Sequence, residues 1–331
     1  MKTPSETLIK SSLYLSPIQA KLQQVEGELH GEVESAFGIA SQVVMQLMGA
    51  GGKRIRPVII LLASQMSGYE GERAVNLAAA LEMIHTATLL HDDVVDESPL
   101  RRGNRSAWNA YGSKLSIITG DYLFARSFAR LAKEADPVIW KEVAFLVERL
   151  CEGELVQYTH VRNLEMTTEI YLEVIEKKTA HFFETCTVVG GLLGGWGGDY
   201  LEGLRRFGYH FGMIFQISDD LLDYVGDPEV LGKPVGGDLR EGKVTLPLIE
   251  GIKVMDPTLR ARVDHYLEHG GEENEHQEIL THIRESGVAE RIRAFATQYQ
   301  QHALDELKNF PANAEREALQ SLTEHIMERT A

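Results

Sequence analysis

Several features are scarce in this sequence of 331 residues, and each absence excludes a class of protein. Two cysteines, Cys151 and Cys186, are too few for a disulfide framework and lack the C-x-x-C spacing typical of zinc and redox sites. Basic residues number 33 against 49 acidic ones, and the net charge of −16 disfavours nucleic acid and anionic membrane surfaces as partners. We therefore expect a folded protein with reduced thiols and no nucleic-acid partner.

Long apolar runs are also missing. The longest stretch without a charged residue spans 14 positions, 185–198, and six of them are glycine. A membrane-spanning helix needs about 20 mostly apolar residues. The N-terminal residues include acidic side chains and proline where a signal peptide has an apolar core. The sequence thus predicts no transmembrane segment, no secretion and a cytoplasmic location.

Proline is absent from 138–227, so nothing in this long stretch interrupts a helix. Apolar residues recur there at intervals of three and four, as they do in the Ala- and Leu-rich segment 73–97, which ends before Pro99. Shorter helical segments fill 251–331 as a mildly acidic outer layer. These patterns predict an all-α protein of many helices in a single domain, 1–331.

Two acidic clusters of the form D-D-x-x-D stand in otherwise apolar helical segments. They are Asp92-Asp93-Val94-Val95-Asp96 and Asp219-Asp220-Leu221-Leu222-Asp223. The first and last aspartates of each lie on one helix face, about 6 Å apart along the axis. One such cluster alone is most simply a solvated stripe, but burying unpaired carboxylates is costly. Two clusters therefore indicate bound cations, and oxygen ligands without His or Cys favour Mg²⁺ completed by substrate phosphates.

A stripe of small and polar residues continues the face of the second cluster toward the N-terminus. Gly208, Gly212 and Gln216 precede Asp219 on this face at steps of four, four and three. The two glycines indicate either a groove beside the metal end or close packing of another helix.

Basic residues beside glycines and acidic clusters form a second group of candidates. They occur as Lys53-Arg54-Ile55-Arg56 after two glycines, Arg101-Arg102, Lys177-Lys178-Thr179, and Lys233 and Lys243 in glycine-rich turns. Taken alone, each of these basic clusters is equally consistent with a surface loop. Together, in a protein of net charge −16, the clusters indicate a phosphate-bearing substrate. His85 precedes Asp92 by two helical turns on the same face, although a lone helical histidine is more often a core residue.

The motifs follow one another between about Gly51 and Glu250. They read GGKRIRP, LLHDDVVDESPLRRG, GDYLFAR, KKTAHFFETC, FQISDDLLDYVGD and LGKPVGGDLREGKVTLPLIE. Their order and spacing resemble the trans-isoprenyl diphosphate synthases, also called the polyprenyl synthetase family. The resemblance implies the isoprenyl synthase fold, a bundle of long helices around a deep central cavity, normally in a homodimer. It also implies a prenyltransferase that extends an allylic diphosphate with isopentenyl diphosphate and releases diphosphate.

The resemblance assigns roles to the residues that match the family's motifs. Three Mg²⁺ ions are implied at Asp92, Asp96, Asp219 and Asp223, with Asp93 and Asp220 as adjuncts. The implied isopentenyl diphosphate site consists of Lys53, Arg56, His85 and Arg102. The implied allylic diphosphate site consists of Arg101, Lys178, Thr179, Gln216, Lys233 and Lys243. The implied catalytic group consists of Asp92, Asp96, Lys178, Asp219 and Asp223.

Product length depends on residues before the first cluster. In the family, bulky aromatic residues four and five positions before that cluster form the floor of the cavity and stop chain growth early. Here these positions hold Thr88 and Ala87, and Ile84 and Leu81 lie deeper as candidates for the wall. We therefore predict a heptaprenyl to decaprenyl product, with octaprenyl favoured. Ile214 stands where a small residue is expected, which keeps a short farnesyl or geranylgeranyl product as the alternative.

Three other classes of protein share parts of this pattern. Terpene cyclases of the same fold usually replace the second aspartate cluster with an Asn/Ser/Glu triad and lack the GGKRIRP motif. Non-catalytic subunits of prenyl synthases typically lose the aspartates, all six of which are present here. A helical cation-binding scaffold has no need of separate basic clusters.

Overall fold

The structure is a computed structural model that describes residues 15–34, 37–49, 52–101, 103–134, 136–228 and 235–328. In chain order the helices are α1 (Gln19–Glu34), α2 (Ile39–Gly49), α3 (Ile55–Met66), α4 (Arg73–Val95), α5 (Ala107–Tyr111), α6 (Ser113–Ala132), α7 (Pro137–His160), α8 (Thr168–Ile175), α9 (His181–Leu193), α10 (Gly198–Val225), α11 (Gly237–Arg240), α12 (Leu246–Ile252), α13 (Pro257–His269), α14 (Glu273–Glu285), α15 (Val288–Leu307) and α16 (Ala314–Glu328). The prediction of an all-α protein is confirmed.

Three short elements complete the described chain. A 3₁₀ turn covers Ser16–Ile18, and a π-helical turn, Glu176–Ala180, joins α8 to α9 without a break. Strands β1 (Leu100–Arg101) and β2 (Asn104–Arg105) form an antiparallel hairpin that the helical periodicity did not predict. Gly103 has a φ of +78°, which a side chain would strain, so glycine suits the turn between the strands.

The residues group into two compact units. The first unit consists of Met1–Val143, Thr185–Arg205 and Leu307–Leu322, and the second consists of Ala144–Glu184, Arg206–Glu306 and Thr323–Ala331. A single domain over 1–331 stays a prediction. In the part of the chain that the structure describes, no helix is long and apolar enough to cross a bilayer.

In the first unit, the long helix α4 packs against α1, α3 and α6. Its alanines let neighbouring helices approach closely, and its positions 77–84 are all buried. The helix ends at Val95, two residues earlier than the apolar pattern suggested, with Asp96 at its C-cap. The N–H group of Asp96 still donates to the Asp92 carbonyl oxygen at 2.8 Å, so both aspartates keep their helical spacing.

In the second unit, a core of apolar side chains surrounds the C-terminal half of α10. Ile217, Leu221 and Tyr224 from this helix pack with Tyr171 of α8 and Ile283 of α14. Gly212 fits tightly in this region, because a Cβ there would lie 2.5 Å from the Ala180 Cα. Close helix packing therefore explains Gly212, and a groove at this glycine was the wrong interpretation.

Candidate functional site

The first acidic site lies on the face of α4 that is not covered by neighbouring helices. Between positions 77 and 90 of this fully described helix, only His85, Thr88 and Leu89 are not buried. Asp92 and Asp96 continue this face and are also partly exposed. His85 and the two aspartates are therefore placed on one accessible stripe, as the spacing predicted, and their roles stay predictions.

The middle aspartate of the first cluster has a different environment. Asp93 is buried, and its Oδ1 accepts a hydrogen bond from Arg101 Nε at 2.7 Å and another from the same guanidinium. Burial raises the pKa of Asp93, and the negative charges of Asp92 and Asp96 raise it further. The guanidinium of Arg101 acts in the opposite direction and lowers this pKa. The hairpin that follows α4 thus brings Arg101 back to the cluster. These contacts hold the Arg101 guanidinium beside Asp93.

The basic side chains at the start of α3 lie in two different environments. Arg54 has a φ of +50° and places its guanidinium between Glu26 of α1 and Glu82 of α4, at 2.6 and 3.1 Å. Its side chain is only 12% exposed. Arg54 thus anchors the turn, while the exposed Lys53 and the partly exposed Arg56 flank it. The two glutamates carry no motif of their own, so nothing in the sequence indicated this anchor.

The second acidic site is built on the C-terminal half of α10. Asp220 accepts hydrogen bonds from Tyr171 Oη at 2.7 Å and from Gln216 Nε2 at 2.6 Å, and Thr179 Oγ1 donates to Gln216 Oε1 at 2.8 Å. Burial raises the pKa of Asp220 to about 7, against the lowering effect of these hydrogen bonds, and the charges of Asp219 and Asp223 add to the rise. Thr179 and Gln216, which were predicted to bind the allylic diphosphate, are therefore joined in one network.

The short helix α11 provides a residue, Asp238, that the sequence analysis did not single out. The N–H group of Asp238 donates to Asp223 Oδ2 at 2.9 Å, and the N–H group of Gly236 donates to the Asp223 carbonyl oxygen at 2.6 Å. Burial raises the pKa of Asp238, and Asp223 and Asp220 raise it further. A fourth carboxylate thus lies beside the second cluster. Its signal was an aspartate two residues after Gly236 in a segment already rich in glycine and lysine.

Lys178 projects from the π-helical turn toward α7. Its Nζ contacts Glu154 and lies 3.1 Å from Gln157 Oε1. Gly153, one residue before Glu154, is buried against the turn, since a Cβ there would lie 2.8 Å from the side chains of both Lys177 and Lys178. Such π-helical turns within helices are frequent at functional sites. The family resemblance implied a role for Lys178 at the allylic diphosphate, but the sequence did not predict the π-helical turn that carries it.

The remaining predicted residues have the following positions. Ala87 and Ile84 are fully buried on α4, and Thr88 Oγ1 donates to the His85 carbonyl oxygen at 2.8 Å. Lys243 Nζ lies 2.7 Å from Glu241 Oε2. Arg102 and Lys233 lie outside the described residues.

Both acidic sites offer the donors that a hard divalent cation requires. Asp93 Oδ2 is buried without a hydrogen-bond partner, and the carboxylates around Asp220 raise its pKa because their charges repel one another. Among the described residues, no three acidic, His or Cys side chains converge closely enough to hold a metal ion by themselves. This arrangement fits Mg²⁺, which keeps several waters and takes further ligands from substrate phosphates.

The histidine after the π-helical turn makes folding stability depend on pH. His181 Nδ1 lies 2.8 Å from Glu184 Oε2 and its Nε2 lies 3.4 Å from Glu176 Oε1. Burial alone would lower the pKa of His181, but these two carboxylates outweigh it and raise the pKa to about 9. A raised histidine pKa stabilises the fold fully below the unfolded value of about 6.5, and this stability is lost as pH rises through about 9.

We therefore expect the free energy of unfolding to fall by roughly 2 kcal/mol more in the wild type than in His181→Gln between pH 7 and pH 10. Urea unfolding at a series of pH values measures this difference. His265→Gln, at an exposed position of α13, is the control and is expected to follow the wild type. Parallel pH curves for the wild type and His181→Gln would contradict the assigned ion pairs.

The fold and these two sites define a class: all-helical prenyltransferases with two aspartate-rich helices. The polyprenyl synthetase family model matches residues 38–283. The chain therefore belongs to the polyprenyl synthetase family, and it is a prenyl transferase, as the motifs predicted.

Relatives and solved structures agree with this assignment over almost the whole chain. Octaprenyl diphosphate synthase of Escherichia coli (strain K12) is 37% identical over 298 residues, which are 90% of this chain and 92% of that protein. A decaprenyl diphosphate synthase from Rhodobacter capsulatus has a TM-score of 0.89 at 36% identity, with 97% and 99% of the two chains covered. A polyprenyl synthase from Caulobacter crescentus CB15, complexed with calcium and isoprenyl diphosphate, has a TM-score of 0.93 at 34% identity, with 97% and 98% covered.

Proposed function

We propose that this prenyltransferase extends an allylic diphosphate by repeated trans condensation with isopentenyl diphosphate, to a product between heptaprenyl and decaprenyl, with octaprenyl favoured. The observation that carries the proposal is the common design of the two D-D-x-x-D clusters. In each cluster the middle aspartate is turned into the protein, Asp93 to Arg101 and Asp220 to Tyr171. The first aspartates, Asp92 and Asp219, stay partly exposed.

The proposed reaction needs stabilisation of a leaving group. Cleavage of the allylic C–O bond transfers an electron pair to diphosphate, so charge develops on its oxygens in the transition state. Lys178 and Arg101 supply positive charge for this anion, and Lys243 adds to it. Asp92, Asp96, Asp219 and Asp223 would hold Mg²⁺, in three ions as the family resemblance implies, and the bound metal would supply Lewis-acid stabilisation of the same charge.

The second substrate forms the new bond. The double bond of isopentenyl diphosphate attacks the allylic carbon, and loss of one proton from the resulting cation restores a double bond, with released diphosphate as the proton acceptor. Lys53, Arg56, His85 and Arg102 hold isopentenyl diphosphate in this proposal. No covalent bond to the enzyme forms at any step.

A product ladder tests the proposed function. The purified protein is incubated with radiolabelled isopentenyl diphosphate, farnesyl diphosphate and Mg²⁺, and the products are dephosphorylated and separated by chromatography. We expect a ladder that ends between heptaprenyl and decaprenyl, is lost in EDTA and returns with added Mg²⁺. A ladder that ends at geranylgeranyl would support the short-chain alternative. So would a farnesyl product when a shorter allylic primer replaces farnesyl diphosphate. No elongation from any allylic primer would overturn the proposal.

Residues on α4 are expected to set product length. Thr88 lies on the accessible face that carries Asp92, whereas Ala87 is fully buried beside it. We expect Thr88→Phe and Ala87→Phe to shift the end of the ladder toward geranylgeranyl, because a ring four or five residues before the cluster would obstruct a growing tail. Chromatography of the ladder measures the shift.

Ala125→Phe provides the matched control for product length. It adds the same ring at an exposed position of α6 and is expected to leave the ladder unchanged. If the ladders of both Thr88→Phe and Ala87→Phe ended at the wild-type chain length, these positions would not form the floor of the cavity.

A homodimer and a cytoplasmic location complete the proposal. Helix α7 exposes several large apolar side chains, among them Phe145 at 52%, Leu155 at 66% and Tyr158 at 67%. A second copy of the chain would remove such surfaces from water, which is the main favourable contribution to association. We expect Leu155→Glu to weaken or abolish the dimer in light scattering after size exclusion.

The control for this dimer test makes the net charge more negative by the same amount as Leu155→Glu, but on a different helix. Arg260→Gln lies at an exposed position of α13 and is expected to leave the mass unchanged. A monomeric wild type, or a dimer that Leu155→Glu does not weaken, would contradict the proposed role of α7.

A further inference from the structure

The turn at Arg162 lies outside every motif discussed above, yet it contacts the loop that follows the second acidic cluster. Arg162 is exposed and has a φ of +61°, in the left-handed region that residues with a Cβ seldom adopt. A backbone conformation of this kind costs free energy and persists where surrounding contacts hold it. The contacts of Arg162 therefore indicate what this turn supports.

The contacts of Arg162 with described residues lie within the second unit. Its main-chain N–H donates to the Gly242 carbonyl oxygen at 2.8 Å, and its guanidinium Nη1 donates to the Leu267 carbonyl oxygen of α13 at 2.8 Å. Gly242 has a φ of +76°, and a Cβ there would lie 2.6 Å from the Arg162 Cγ. The aliphatic part of Arg162 thus packs directly on Gly242, and its guanidinium connects this glycine to α13.

The glycine leads directly to the second acidic site. Gly242 precedes Lys243, whose N–H donates to the Asp238 carbonyl oxygen at 2.8 Å. The N–H of Asp238 in turn donates to Asp223 Oδ2 at 2.9 Å. A series of direct contacts therefore runs from Arg162 through Lys243 and Asp238 to Asp223.

The turn is also held by the core of the second unit, because Leu239 and Val244 on either side of it are buried among apolar side chains. Helix α11 spans only four residues, Gly237–Arg240, too few to hold its own position. A cavity of about 260 Å³ beside the turn is lined by Arg162, Arg240 and Tyr266. Beside this cavity, the hydrogen bond from Arg162 to the Leu267 carbonyl oxygen ties the turn to α13.

We propose that Arg162 is a positioning residue for prenyl transfer. By tying the Gly242–Lys243 turn to α13, it holds Lys243 and the backbone around Asp238 in the places from which they act on the allylic diphosphate and on Asp223. Arg162 itself does not touch the substrate. The inference rests on the proposed function, because Lys243 and Asp223 are assigned to that substrate there.

Two substitutions at Arg162 distinguish the contribution of its side chain from that of its backbone. Arg162→Gly favours the left-handed φ and keeps the N–H that reaches Gly242, but removes the stem and the guanidinium. Arg162→Lys keeps the stem and one donor. We measure KM for farnesyl diphosphate at saturating isopentenyl diphosphate, KM for isopentenyl diphosphate at saturating farnesyl diphosphate, and Tm. Arg260→Ala, on the exposed side of α13, is the control.

We expect Arg162→Gly to raise KM for farnesyl diphosphate about tenfold, since a hydrogen bond from a charged donor has this weight. KM for isopentenyl diphosphate is expected to stay within about twofold, and Arg162→Lys to restore part of the loss. A wild-type KM for farnesyl diphosphate, or equal rises in both KM values, would overturn the inference alone. If Arg162→Gly does not fold, the same comparison for Arg162→Lys decides. A wild-type protein that elongates no allylic primer overturns the proposed function and this inference with it.

Discussion

Asp219→Asn is expected to lower kcat for elongation of farnesyl diphosphate about 1,000-fold, while the protein stays folded. A bound metal ion contributes several kcal/mol to stabilisation of developing charge, and each loss of about 1.4 kcal/mol lowers the rate tenfold. Asp219 is the partly exposed first residue of the second cluster, so its carboxylate is available to a cation in a way that Asp220 is not. Steady-state kinetics at saturating Mg²⁺ measure kcat, and circular dichroism melting checks the fold.

The matched control for this substitution is Glu202→Gln. It makes the same chemical change on the same helix, α10, at an exposed position, and is expected to retain wild-type kcat. If Asp219→Asn kept more than about a tenth of the wild-type kcat, a loss of less than about 1.4 kcal/mol, Asp219 would not be a ligand of a catalytic metal ion.

Gly153→Val is expected to lower kcat about 100-fold and to destabilise the fold by roughly 1–3 kcal/mol. The reason is steric, because even a Cβ at this position would lie 2.8 Å from Lys177 Cβ and 3.2 Å from the backbone nitrogen of Lys178. Two further methyl groups would force the π-helical turn away from α7. Lys178 would then lose its position beside Glu154 and, in the proposed mechanism, its position at the diphosphate.

A control for Gly153→Val must separate the clash from the general cost of valine in a helix. Gly27→Val provides it, since Gly27 lies within α1 and a Cβ there would have no neighbour within 4 Å. Urea unfolding and kcat are measured for both variants. Wild-type kcat in a folded Gly153→Val protein would show that the contact between α7 and the turn does not position Lys178.

The periodicity of the sequence was sufficient to predict the long helices of the fold. Helix α4 was predicted at 73–97 and is found at Arg73–Val95, and α10, Gly198–Val225, lies within the proline-free stretch 138–227 that was predicted to be helical. Such predictions succeed because a helix is a local structure, in which each hydrogen bond joins residues four apart. The hairpin at Leu100–Arg105 was missed, since two strands of two residues each leave no measurable alternation.

The acidic clusters were also identifiable from local order, because D-D-x-x-D places its first and last carboxylates on one helix face. Local order did not show that the middle aspartate of each cluster is buried and hydrogen-bonded within the protein. Asp93 and Asp220 find their partners, Arg101 and Tyr171, through a hairpin and a neighbouring helix respectively. Residues 49 positions apart, as Tyr171 and Asp220 are, leave no joint pattern in one sequence.

The sequence by itself determined the helical class, the two aspartate-rich helices and the family resemblance, all of which depend on the order and spacing of residues along the chain. Only the tertiary structure decided which charged residues are anchors and which face outward. Arg54 belongs to the same basic motif as Lys53, yet it lies between Glu26 and Glu82 from two other helices. The physical reason is that burial and ion pairing depend on neighbours brought together by packing, and such neighbours are distant in the sequence.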